Sequence, residues 1–142
     1  MNGSNAPRWF RPTAIAALLW NLVGCMAYLS DVRITPEQVA AMSPAQQQLL
    51  ASRPAWAVAA YAIAVWGGAL GSLGLVLRKG WALPVLVISL IGILVQDYGL
   101  FVVARVTDVY GVMPLVMQGL VLAIAIGLIV MARKAIERGW NS

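Results

Sequence analysis

The stretch Val85-Leu-Val-Ile-Ser-Leu-Ile-Gly-Ile-Leu-Val-Gln-Asp-Tyr-Gly-Leu-Phe-Val-Val103 decides the fold. It is long and apolar enough to cross a bilayer, yet it carries Gln96 and Asp97 near one end. An acid inside such a segment is costly to keep there, which makes it a candidate functional group by default. Three further apolar runs surround it, about 13–29, 55–77 and 111–132, while the central run extends over about 81–104. They predict an all-α integral membrane protein, one antiparallel four-helix bundle of four spans, with the polar segment 30–54 as an external loop.

Composition agrees. Of 142 residues, 61% are hydrophobic and only 11% charged, against about 25% charged in soluble domains. The mean hydropathy is +0.82. The length suits a single bundle. The +5 net charge comes from residues at the ends of apolar runs, which fits membrane orientation and speaks against nucleic acid as a partner. One cysteine and no histidine exclude an internal disulfide, a Cys/His metal site, a histidine base and histidine haem ligation. No catalytic set, metal site or cofactor is therefore expected.

Along the chain, Met1 to Ala6 reads as a frayed end. Arg8-Trp-Phe-Arg11 places cations and aromatics at the first membrane entry. Leu22-Val-Gly-Cys25 also has the form of a lipoprotein signal, whose cleavage would leave a lipidated Cys25 and three spans. Thr35-Pro-Glu-Gln38 and Ser43-Pro-Ala-Gln46 both read as capping boxes with proline at the first helical position, predicting short helices over 36–42 and 44–52. Val39, Met42, Leu49 and Leu50 either lie on the membrane interface or cap the bundle, and a solvated connector is the plainer alternative. Seven basic residues (Arg8, Arg11, Arg78, Lys79, Arg133, Lys134, Arg138) stand at one side and three (Arg33, Arg53, Arg105) at the other. This predicts cytoplasmic termini, with Asn2 and Asn141 inside and Gln47 outside.

Polar and small residues mark the inward faces. Asn21, Gly24, Cys25 and Tyr28 share one helical face. Gly67 and Gly71 form a GxxxG pair, with Gly68 and Ser72 beside it, so helix packing is assigned to these four. At about 1.5 Å per residue, Asp97 lies about 24 Å above Trp81, roughly 6 Å inside the outer edge of a 30 Å core. Tyr28, Tyr61 and Gln118 fall at similar depth. Together with Asn21 and Gln96 they define a candidate ligand-binding pocket facing outward. The competing reading is a structural network in which Asp97 pairs with Arg53, Arg105 or a tyrosine.

Leu19-Trp-Asn-Leu-Val-Gly24, Thr35-Pro-Glu37, Arg53-Pro-Ala-Trp56, Val65-Trp-Gly-Gly-Ala-Leu-Gly71, Trp81-Ala-Leu-Pro84 and the terminal Lys134–Trp140 run resemble a family of small uncharacterised bacterial four-span inner-membrane proteins. Some of its members are labelled "sugar transporter". The similarity covers nearly the whole chain and carries no known catalytic or binding residue with it. It implies a multi-pass protein of the bacterial inner membrane with a transport-type function. Three functions follow as expectations. The first is a module that binds or transports a small polar ligand, with membrane lipids around it and a homodimer formed on the Gly67–Gly71 face. The second is a non-catalytic accessory subunit of a larger membrane complex, with its glycine face exposed for the partner. The third is a membrane enzyme using Asp97 with a tyrosine.

Overall fold

The computed structural model describes residues 7–103 and 105–140. The reading of Met1–Ala6 and the positions Asn2 and Asn141 lie outside the described residues. The order is α1 (Phe10–Val32), α2 (Pro36–Ala40), α3 (Pro44–Ala51), α4 (Ala55–Val76), α5 (Ala82–Tyr98), a π-helical turn (Gly99–Val103), α6 (Thr107–Tyr110) and α7 (Met113–Glu137). Four helices are long and apolar enough to cross a membrane: α1, α4, α5 with its π turn, and α7. The chain is a multi-pass membrane protein built as a helical bundle.

The helix boundaries differ from the hydropathy runs for local reasons. α1 begins at Phe10 rather than Thr13, because Pro12 falls in the first turn, where its missing N–H has no intrahelical partner to lose. α7 begins at Met113, after Gly111 breaks the chain at φ 74°, and has a proline in its first turn. It runs past the apolar stretch to Glu137. There Gly139, at φ 75°, lets the Gly139 N–H reach Ile136 O (3.2 Å) and the Trp140 N–H reach Ala135 O (2.7 Å). This double closure is a Schellman motif, and glycine suits its left-handed position. α4 ends in the same motif with Arg78 at φ 57°: Arg78 N–H to Leu75 O at 3.1 Å and Lys79 N–H to Gly74 O at 2.8 Å. The central span is helical as expected up to Tyr98, then widens into the π turn instead of running on as one α-helix.

α4 and α5 make the most extensive pair, α1 packs on α4, and α7 packs on α5. α1 and α7 make little contact with each other. They meet at the basic end of the bundle, where Phe10, Ala14 and Ala17 join Leu128, Met131, Ala135 and Trp140 in one buried cluster. The Trp140 and Phe10 rings cross edge to face at 5.7 Å. Buried positions are dominated by alanine, while large residues such as Leu19, Met26, Leu70, Ile91 and Val116 point outward. Lipid tails are as apolar as leucine, so association is driven by close packing of small residues.

The glycines of α4 and α5 carry that packing. A Cβ on Gly67 would stand 3.1 Å from Ser89 Cβ, and one on Gly92 would stand 2.9 Å from the backbone nitrogen of Ala64. Gly68, Gly71 and Ser72 are buried, Gly68 against Asn21 and Ser89, Gly71 against Leu86. This corrects the expectation of a dimer formed on the Gly67–Gly71 face. α5 of the same chain already covers that face. It is also not the exposed stripe that an accessory subunit would present.

Candidate functional site: two cavities between the helices

Four side-chain hydrogen bonds, three of them between helices, fix how the spans meet. The Asn21 amide Nδ2 donates to Ala17 O (2.9 Å) and to Ser72 Oγ (3.1 Å). The Ser89 hydroxyl donates to Ala64 O at 2.6 Å. The Cys25 thiol, buried midway along a continuous α1, points to Val65 O at 3.4 Å. These contacts tie α1 and α5 to α4 at mid-depth, and no equivalent hydrogen bond links α1 to α7 among the described residues.

Where α1 and α7 part, a cavity of about 280 Å³ remains between all four spans. Its lining is mostly apolar. Its polar groups are Asn21 from α1, Tyr61 from α4, Ser89 and Gln96 from α5, and Gln118 from α7. No charged side chain among the described residues lines it. Asn21 and Ser89 are already satisfied by the helix ties above. Gln118 Oε1 is buried without a hydrogen-bond partner, and among the described residues no hydrogen bond engages the side chains of Tyr61 or Gln96. A buried acceptor left unmet costs about 1–3 kcal/mol, which marks Gln118 as the lining residue whose hydrogen bonding the described residues leave incomplete.

A second cavity, about 210 Å³, lies toward the loop. Tyr61 and Gln96 line both cavities and so form the partition between them. α3 covers the outer one with Leu49 and Leu50, together with Met42 from the turn between α2 and α3. Both helices carry the complete capping box read from the sequence. The Gln47 amide clips them together by donating to Val39 O (2.9 Å) and Met42 O (3.1 Å). The loop is anchored to the bundle by an Arg53–Asp31 ion pair at 2.5 Å, and both residues line the outer cavity. The segment is thus tied down at Arg53–Asp31 and lends three apolar side chains to the outer cavity, while α2 and α3 themselves bury no residue.

The six candidate ligand residues are thus dispersed. Asn21, Tyr61, Gln96 and Gln118 line the inner cavity. Tyr28 stands behind the lining, its ring edge to face with Tyr61 at 5.1 Å and with Trp66 at 6.5 Å. Asp97 is part-buried but lines neither cavity, and its Oδ1 has no hydrogen-bond partner. None of the described hydrogen bonds joins it to Tyr28, Tyr61 or Gln118. The cations offered as partners are engaged elsewhere, Arg53 with Asp31 and Arg105 with Asp108 at 3.3 Å. One helical position moves a side chain by about 100°, and this separates Asp97 from its neighbour Gln96.

Sequence reasoning missed Ser89, a lone hydroxyl in the central span, although a serine there must find an acceptor. It also missed the Arg53–Asp31 pair and the π turn. Such turns concentrate at functional positions, and Gly99 and Leu100 of this one line the outer cavity. No family model, curated protein or solved structure matches this chain.

Proposed function

We propose that the protein binds or transports a small neutral molecule, with the inner cavity as its binding chamber and the outer cavity as its vestibule. The carrying observation is the convergence of Tyr61, Gln96 and Gln118, from three helices, on one cavity, with Gln118 Oε1 buried and without a hydrogen-bond partner. Hydroxyl and amide groups both donate and accept, which suits a ligand bearing hydroxyl or amide functions. A cavity of about 280 Å³ falls just below the range of ligand pockets, roughly 300–1,000 Å³, and so suits a small guest. The chamber meets the vestibule on the loop side, while the Phe10–Trp140 cluster closes the other end. This asymmetry supports an outward-facing state, and the motif resemblance to a four-span family of the bacterial inner membrane supports a transport-type function.

Thermal unfolding in nanodiscs, scanned against neutral hydroxyl compounds from sugars to fatty alcohols, tests the reading. A ligand at a hundredfold excess over its Kd stabilises by about 2.7 kcal/mol. Gln118→Leu and Tyr61→Phe should abolish that stabilisation without unfolding the protein. Failure of every compound to stabilise, or a preference for charged ones, would remove the chamber from consideration. The proposed orientation is checked separately. Gln48→Cys should react with an impermeant maleimide in intact cells, and Arg11→Cys only after lysis; the reverse pattern would invert the topology.

A further inference from the structure

A second space lies beside the chamber. A shallow groove runs along the outside of the α1–α7 seam, lined by Trp9, Thr13, Trp20, Gly127 and Lys134 among others. Trp20, Ile124 and Leu128 line both this groove and the inner cavity, so the two spaces adjoin across the seam. Above the basic end the two helices barely touch. A Cβ on Gly127 would meet nothing within 4 Å. The groove faces the apolar flank of the bundle, where Leu19, Val130 and their neighbours are exposed.

We infer that the α1–α7 seam is a lateral portal, through which a neutral amphiphile dissolved in the bilayer reaches the chamber. Its hydrogen-bonding head lies at Gln118 and its apolar body in the groove. The inference rests on the chamber reading above and adds both the ligand class and the route. Two observations select this occupant. The unmet acceptor is inside the chamber, on Gln118, so the head belongs there. The groove's one cation, Lys134, sits sixteen residues along α7, about 24 Å away at 1.5 Å per residue. A phospholipid held by its phosphate at Lys134 would therefore leave Gln118 unmet. The chamber itself holds no charge to receive an ionised head.

Two matched glycines of α7 provide the test. Neither Gly119 nor Gly127 has a neighbour within 4 Å of an added Cβ, so leucine at either leaves the fold intact, but only Gly127 lines the groove. The full chain in nanodiscs is photolabelled with hexadecanol carrying a diazirine next to the hydroxyl, and with the matching hexadecanoate. Adducts are mapped by mass spectrometry. The alcohol should label Met117, Val121 and Ile124, and the anion should label them at least fivefold less. Gly127→Leu should lower chamber labelling at least fivefold, whereas Gly119→Leu should match the wild type. Gln118→Leu should lower it similarly, leaving adducts on outward-facing Leu120 unchanged. Equal chamber labelling in Gly127→Leu and wild type would overturn the portal while keeping the chamber, moving entry to the vestibule. Absence of chamber labelling in every variant would overturn portal and chamber together. Equal labelling by the anion, or adducts gathered near Lys134, would overturn the neutral head and indicate a phospholipid in the groove.

Discussion

The α4–α5 seam and the α1–α7 seam are made from the same residue types and behave in opposite ways. Along α4–α5, Gly67, Gly71, Gly74 and Gly92 each hold a neighbouring helix where a side chain would otherwise stand, and Ser89 adds a hydrogen bond. On α7, Gly119 and Gly127 face open space, Gly127 beside the α1–α7 groove, and α1 and α7 converge only at the Phe10–Trp140 cluster. A glycine in a membrane helix is thus no evidence of contact by itself. What matters is whether backbone or flexible side chain stands opposite. The closed seam gives the bundle its rigidity, and the parted one leaves the chamber.

The sharpest break in this comparison is expected at Gly92. A Cβ there would lie 2.9 Å from Ala64 N and 3.0 Å from Ala60 O, and backbone cannot move aside. Gly92→Leu should cost about 3 kcal/mol or more, the upper range for overpacking, and should appear as loss of the folded form on size-exclusion in mild detergent. Gly71→Leu should cost less, about 1–3 kcal/mol, because its obstacle is the Leu86 side chain, which can change rotamer. Equal thermal stability of both variants would mean that the seam is not backbone-limited. Ser89→Ala removes one interhelical hydrogen bond and should cost about 0.6 kcal/mol, the usual value inside membranes. At the small end, Gly119→Leu and Gly127→Leu should be neutral or stabilising by at most about 1 kcal/mol, through helix propensity alone. A marked loss of stability in either would show that α7 is packed more tightly than the seam suggests.

Much of the architecture was legible because it depends on period and depth. The four apolar runs, the two capping boxes and the small-residue face of α4 each follow from local chemistry. What a helix face meets does not. Gly67–Gly71 looked equally fit for α5 or for a second copy, and only the three-dimensional arrangement shows α5 there. Depth placed Tyr61, Gln96 and Gln118 together, and the fold brings these three to one cavity. It also placed Asp97 among them, but depth says nothing about azimuth, and Asp97 stands off both cavities. Asp31 and Arg53 lie 22 positions apart on opposite flanks of the loop, and sequence spacing contains no signal for that pairing.

Paired cysteines put the difference between seams on one scale. In a Cys25→Ser background, Gly24→Cys/Val65→Cys spans α1 and α4. A Cβ on Gly24 would stand 3.8 Å from Val65 Cβ, the mean separation in disulfides, about 3.8 Å. Val23→Cys/Val121→Cys spans α1 and α7 across the chamber that both residues line. Oxidation in nanodiscs should join the first pair nearly completely and leave the second reduced, and a bis-maleimide with a flexible spacer should then link the second. Disulfide formation in the Val23/Val121 pair as rapid and complete as in the Gly24/Val65 pair would show α1 and α7 in direct contact, and would contradict the open seam on which the chamber and its portal depend.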